Sequence, residues 1–260
     1  MTADTVAGTG LAGLVGGDVA RLELAPTGPL RVGVIAALAP STLFVTFDGE
    51  TGLYRGVTVD MAMALAAQLG VPPEIVNFPN SGACTQAIEL GAIDVSFMPI
   101  DDERRKKVAF GPAYYILEST YLVTIASGIT TLAEVDREAV RVVGIANTTT
   151  IRSATRTLTK TVPLPKESIA EAVDLFLTGQ ADALALSRDA FQTLLSQMPA
   201  ARILDGGFQS TGIAIAVGLG KPAALSFVST FMDEAKTSGL VRRALNAAGF
   251  PNEPVAPLSR

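Results

Sequence analysis

From Leu30 onward, apolar residues fall into short blocks whose spacing alternates between two periods. LRVGVIA (30–36), EIVNF (74–78) and AIDVSFM (92–98) are apolar runs of strand length. Between them, TVDMAMALAAQLG (58–70) and SGACTQAIELG (81–91) carry helical spacing. These helices stop at Gly70 and Gly91, residues suited to the left-handed turn that ends a helix. Strands alternating with helices of this length pair in parallel, because the helix carries the chain back along the sheet. The run ESTYLVTIAS (118–127) breaks the rhythm, being long and β-rich as a strand passing from one lobe to another would be. Beyond it VRVVGIA (140–146), TVPL (161–164), DALALS (182–187) and ARIL (201–204) read as strands. TTIRSATRTL (149–158), ESIAEAVDLFLTG (167–179) and RDAFQTLLSQM (188–198) read as helices. A second long β-rich run, FQSTGIAIAVG (208–218), leads to helices over 221–239 and 240–249 and an extended tail.

Two α/β units joined by two long strands make a two-lobed body with a cleft between the lobes. The first lobe is expected to be discontinuous, 28–116 plus 213–260, with the second, 117–212, inserted. Residues 1–27 form an N-terminal extension with a loose helix over 11–24, halted by the turn-forming Pro26-Thr27-Gly28-Pro29.

Composition narrows the chemistry. Apolar residues make up 48% of 260, enough for packed lobes, and no continuous apolar run is long enough to cross a bilayer, so direct membrane insertion is not expected. A formal net charge of −5 disfavours nucleic acid and anionic membrane surfaces as partners. Histidine is absent, which excludes the usual general base, Ser-His-Asp triads and His-containing zinc sites; no metal or cofactor is expected. Cys84, the single cysteine, reads as a buried apolar-like residue early in a helix.

The stretch Gly91 to Tyr115, GAIDVSFMPIDDERRKKVAFGPAYY, joins a buried strand, an acidic turn, four consecutive cations and an aromatic pair. It resembles the ligand-gripping segment of bacterial extracellular solute-binding proteins, family 3, the amino-acid-binding branch with the type II periplasmic-binding-protein fold. There a Gly-x-x-Asp strand is followed by Thr-x-Glu-Arg-Lys-Lys and then Phe-x-x-x-Tyr-Tyr. Gly91, Asp94, Glu103, Arg104, Lys106, Phe110, Tyr114 and Tyr115 fall in register. The resemblance runs roughly over 30–250 and implies a hinge made of two crossover strands. It also implies that Arg104 clamps a ligand carboxylate, since a planar guanidinium offers parallel donors to two oxygens. Arg105, Lys106 and Lys107 read as a solvated face.

In open α/β sheets, ligands sit beyond the carboxyl ends of the strands, where amides at helix starts are free. After the first strand, Ile35, Ala36 and Leu38 offer either an apolar face for the ligand or plain core. Asn80 and Ser81 are either helix caps or ligand contacts. The third strand end runs from Phe97 to Arg104; Pro99 stands where the family usually has a threonine, and it can donate nothing. The carboxylate grip is therefore expected to be altered. In the second lobe Asn147, Thr148, Thr149 and Thr150 begin a helix, and the resemblance adds binding of the same carboxylate from the opposite side. Asn147 replaces a glycine of the family pattern but tolerates a left-handed backbone. Ser187 stands where many amino-acid binders carry an aspartate for the ligand ammonium. Glu118 has three open roles: ligand contact, pairing with Arg104 or another cation, or simple exposure.

The resemblance implies a solute-binding protein of an ABC-type transporter. It would capture a small carboxylate-bearing solute, an amino acid or related organic acid, between closing lobes, and work as a monomer with the transporter's membrane subunits. Two other readings stand beside it: a prephenate or arogenate dehydratase-like enzyme with Glu118 as its acid, and a cytoplasmic small-molecule sensor. The family works in the periplasm. The N-terminal stretch, with Asp4 and Asp18, lacks the pattern of a secretory signal, which leaves the cytoplasm as the alternative.

Overall fold

A computed structural model describes residues 16–258 and follows the alternation of strands and helices. The chain begins with α1 (Gly16–Leu24), β1 (Leu30–Val34), a hairpin of β2 (Thr46–Asp48) and β3 (Leu53–Arg55), and α2 (Val57–Leu69). β4 (Pro73–Asn77), α3 (Ser81–Glu89), β5 (Val95–Pro99) and α4 (Asp102–Arg105) follow. The long β6 (Val108–Thr124) leads to α5 (Leu132–Val135), β7 (Val142–Ile145), α6 (Thr149–Thr157) and β8 (Leu164–Lys166). Then come α7 (Ile169–Leu177), β9 (Ala183–Ser187), α8 (Arg188–Leu194) and β10 (Ala201–Ile203). β11 (Gln209–Gly218), α9 (Pro222–Thr237) and α10 (Leu240–Ala247) close the fold.

The strands run in the order β4-β1-β5-β11-β6-β9-β7-β8, with β10 also on β6. β1 is parallel to β4 and β5, and β7 is parallel to β8 and β9, as crossover helices require. β6 joins the two groups. It pairs antiparallel with β11 from Val108 to Ser119 and with β9 from Ser119 to Val123, so Ser119 faces Gln209 on one side and Ser187 on the other. β6 and β11 are the two crossover strands of a two-lobed type II periplasmic-binding-protein fold.

Both lobes are locked by the same clasp. Arg31, in β1, donates its backbone N–H and Nε to Asp94 Oδ2, each at 2.9 Å, and Nη2 to Oδ1 at 2.7 Å. Arg141, just before β7, repeats this on Asp182 at 2.9, 3.0 and 2.7 Å. In each case an acid in the turn before one strand fixes the start of its parallel neighbour. Asp94 is the acid of the Gly-x-x-Asp pattern, and its work here is structural.

Several elements differ from the sequence reading. β6 starts at Val108 rather than Glu118 and runs through Pro112; its register with β11 slips on either side of Ala113, so the missing N–H falls where the ladder is interrupted. The expected strand over 161–164 lies later, at Leu164–Lys166. The β2–β3 hairpin and the short α4 and α5 carry no clear periodicity. The expected helix over 11–24 is described from Gly16, its first residues lying outside the described ones. It is docked rather than loose: Ala20 and Leu24 are buried, and Glu23 accepts the Ala224 N–H at the start of α9 at 2.7 Å.

Candidate functional site

The lobes enclose a cavity beyond the carboxyl ends of β1, β5, β7 and β9. Ile35, Leu43, Phe44, Asn80, Ser81 and Pro99 line it from the first lobe, and Ile145, Thr148, Thr149, Thr150, Leu186 and Ser187 from the second. The space is narrow. Its volume is about 430 Å³. The lobes are shut.

The polar groups of this cavity come from the start of α6, the start of α3 and the end of β9. Asn147 takes φ 58°, the left-handed turn that its amide side chain tolerates. Thr148 then caps α6, its Oγ1 accepting from Ile151 N at 3.3 Å and donating to the Ile145 carbonyl at 2.7 Å. Thr150 Oγ1 meets Ser119 Oγ on β6 at 3.1 Å. Thr149 Oγ1 and Ser187 Oγ are buried with no hydrogen-bond partner among the described residues. A buried hydroxyl without a partner is costly, so these two are free to meet a ligand.

Arg104 lies behind Ser81 and Pro99. Its side chain is buried, donating Nη1 to the Pro99 carbonyl at 2.8 Å and Nη2 to Ser81 Oγ at 2.6 Å. No carboxylate pairs with its guanidinium among the described residues. Burial pulls its pKa down to about 10, against the opposing pull of the nearby Asp101 charge, so the guanidinium stays charged out of water with no carboxylate in direct contact among the described residues. Arg104 also faces a second, more polar cleft lined by Gln86, Lys107, Asn147, Arg152 and Glu167.

Polar contacts bridge the lobes on both sides of the cavity. On one side Asn80 caps α3, accepting from Ala83 N at 2.9 Å, and donates Nδ2 across the cleft to the Glu167 carbonyl at 2.8 Å. Arg104 Nη2 reaches the Asn147 carbonyl at 3.3 Å, and Arg152 pairs with Asp101. Gly82, in the first turn of α3, packs directly against Asn147: a Cβ on Gly82 would stand 2.3 Å from Asn147 Cβ. On the other side Asp189 holds Thr42, and Thr193 Oγ1 donates to the Pro40 carbonyl at 2.9 Å.

Three sequence-derived candidates stand apart from both clefts. Leu38 is 65% exposed on the loop after β1. Phe97 is core, packed edge-on against Tyr114 with ring centroids 6.0 Å apart. Glu118 takes the second of its three roles, with a cation other than Arg104: it accepts from Arg188 Nε at 2.5 Å, over Gly207, where a Cβ would stand 2.4 Å from Glu118 Cγ. Cys84 is buried in α3, and burial pushes its thiol up to about 11, leaving it inert.

The sequence of the chain matches one known group of proteins over most of its length. The family model of bacterial extracellular solute-binding proteins, family 3, matches residues 30–247. The chain belongs to that family. This family 3 protein is similar to the glutamine-binding protein of Geobacillus stearothermophilus. That relative is 28% identical over 185 residues, covering 70% of this chain and 69% of the relative. Among solved structures, a mutant of ArgBP from T. maritima is 26% identical with a TM-score of 0.77, covering 88% of this chain and 98% of its own. The ancestral amino-acid-binding protein AncCDT-1, described as a precursor of cyclohexadienyl dehydratase, is 28% identical with a TM-score of 0.76, covering 87% and 98%. This family 3 member is thus a solute-binding protein. No helix among its described residues is long and apolar enough to cross a membrane.

Leu43, Phe44, Leu117, Ile145, Ile169 and Leu186 also line the cavity of this solute-binding protein, and the sequence alone did not single them out. Leu43 and Phe44 form an apolar pair in the loop after β1, and that pair in a segment without periodicity was the available signal.

Proposed function

We propose that this protein captures a small carboxylate-bearing solute by closing its lobes over it, with Arg104 and the start of α6 meeting the carboxylate. One observation carries the reading: the buried Arg104 guanidinium makes no salt bridge among the described residues, and Asp101, whose charge supports it, is bonded to its backbone N–H and to Arg152 instead. A desolvated charge is stable only when paired, and a ligand anion reached through or beside Ser81 would supply the pair. The free amides and the Thr149 hydroxyl at the start of α6 then bind from the other lobe. Contacts that exist only when both lobes reach the ligand favour the closed state.

The proposal is binding without turnover. Glu118, the acid a dehydratase would use, is committed to Arg188 and stands outside the cavity. The closed form is proposed to deliver its solute, outside the cytoplasmic membrane, to the membrane subunits of an ABC transporter, as a monomer.

A thermal-shift panel of amino acids and organic acids tests the reading, because a ligand specific for the folded protein raises its melting temperature by mass action. The expected result is a shift with at least one carboxylate that is lost in Arg104→Ala. A variant that responds to every hit as the wild type does would overturn the carboxylate grip.

A further inference from the structure

Resting on the proposed carboxylate capture, we infer that the solute is a small apolar acid carrying an oxo or hydroxyl oxygen, and no ammonium, beside its carboxylate, with Ser187 setting that choice.

The inference comes from the chemistry of the cavity wall. Its apolar part, with Ile35, Leu43, Phe44, Ile145 and Leu186, fits a hydrocarbon body. Its polar part consists of hydroxyls, the Asn80 amide and backbone, and among the described residues no carboxylate lines it. An ammonium drawn into such a space would lose its water and gain no counter-charge, a large penalty. Two hydroxyls stand ready instead: Thr149 Oγ1 and Ser187 Oγ, on residues 1% and 3% exposed, both without partners among the described residues. A hydroxyl donates to an oxo oxygen and exchanges hydrogen bonds equally well with another hydroxyl.

Two carboxylates lie near enough to be rivals. Glu118 is engaged by Arg188. Asp189 follows Ser187 by two residues, but it does not line the cavity, and its Oδ2 is taken by the N–H and hydroxyl of Thr42. Its Oδ1 has no partner among the described residues, so the test must include it.

Calorimetric titration of the whole protein with matched sets separates the alternatives: 2-oxoisovalerate, 2-hydroxyisovalerate and valine, then the corresponding leucine-derived set. The oxo or hydroxy acid is expected to bind at least about tenfold tighter than the amino acid of the same skeleton. Ser187→Asp is expected to reverse that order; if it does not fold, the wild-type comparison alone decides. Tighter binding of the amino acids by the wild type would overturn the inference. Their loss in Asp189→Asn would then identify Asp189 as the ammonium acceptor. Binding of amino acids alone would sink this inference and leave carboxylate capture standing, whereas no binding of any carboxylate would sink both.

Discussion

Asp189, in the second lobe, accepts both the backbone N–H and the hydroxyl of Thr42, in the first lobe, at 2.7 and 2.8 Å. The same Thr42 offers its carbonyl to Tyr114 Oη at 2.5 Å. The loop that carries Leu43 and Phe44 into the cavity is therefore held by a carboxylate of the opposite lobe, independently of any solute. Hydrogen bonds to a charged group contribute about 1.5–3 kcal/mol each when buried. Asp189→Asn, which keeps the size and removes the charge, should shift the unliganded protein toward an open form by about 1–2 kcal/mol. Thr42→Val should do the same more weakly. Small-angle scattering of ligand-free samples checks this, and an unchanged radius of gyration in both variants would mean that the contact does not favour closure.

On the opposite side of the cleft, Asp101 pairs with Arg152 and accepts the Arg104 N–H at 2.8 Å. Desolvation pushes its carboxyl up, but the Arg104 N–H and the Arg152 guanidinium together outweigh that and hold it below its ordinary value of 3.8. A depressed pKa in the folded state gives stability that is complete above the unfolded value and is lost as the pH falls through the folded one. The melting-temperature difference between wild type and Arg152→Gln should therefore be present at about pH 7 and shrink as the pH falls below the ordinary carboxyl value of 3.8. A difference that stayed constant on acidification would assign the effect to packing rather than to the ion pair.

The duplicated clasps predict unequal costs from equal chemistry. The Asp94 side chain is fully buried and that of its partner Arg31 is 17% exposed, while Asp182 and Arg141 are 23% and 55% exposed. Asp94→Ala should cost about 3–5 kcal/mol, as removal of one member of a buried pair does. Asp182→Ala should cost about 1 kcal/mol, because water solvates what remains. Urea denaturation of the two variants provides the comparison, and equal losses would contradict it.

Arg104→Lys should not restore what Arg104→Ala loses. The ammonium of lysine cannot serve the Pro99 carbonyl, Ser81 and a carboxylate with the fixed fork that the guanidinium uses. Affinity for any solute found in the thermal-shift panel should fall by about tenfold to a hundredfold in the lysine variant. Calorimetry showing wild-type affinity would mean that only charge matters at this position.

How much of this could be read from the sequence depended on how local the cause was. Gly70 and Gly91, the capping Thr148 and the left-handed Asn147 act through their own or neighbouring backbone, so residue type was sufficient. Arg104 was legible through its register with the family pattern, yet its partners Ser81 and Asn147 come from two different strand ends and were only found together in space. Glu118 shows the limit in another way. Its apolar surroundings called for a cation, but nothing along the chain singled out Arg188, which reaches it only because β6 and β9 are paired. Thr42 and Asp189, 147 residues apart, left no trace that composition or periodicity could reveal.

The contact between Gly82 and Asn147 concerns timing more than choice. With no room for a single added carbon between them, the depth to which the molecule shuts is set by the absence of a side chain at position 82. A methyl there would act as a doorstop, leaving the groups that meet the solute unchanged while holding the halves ajar. Such a protein would still recognise its cargo, but would release it sooner. Residence time in this molecule can thus be altered at a position whose own side chain is a single hydrogen.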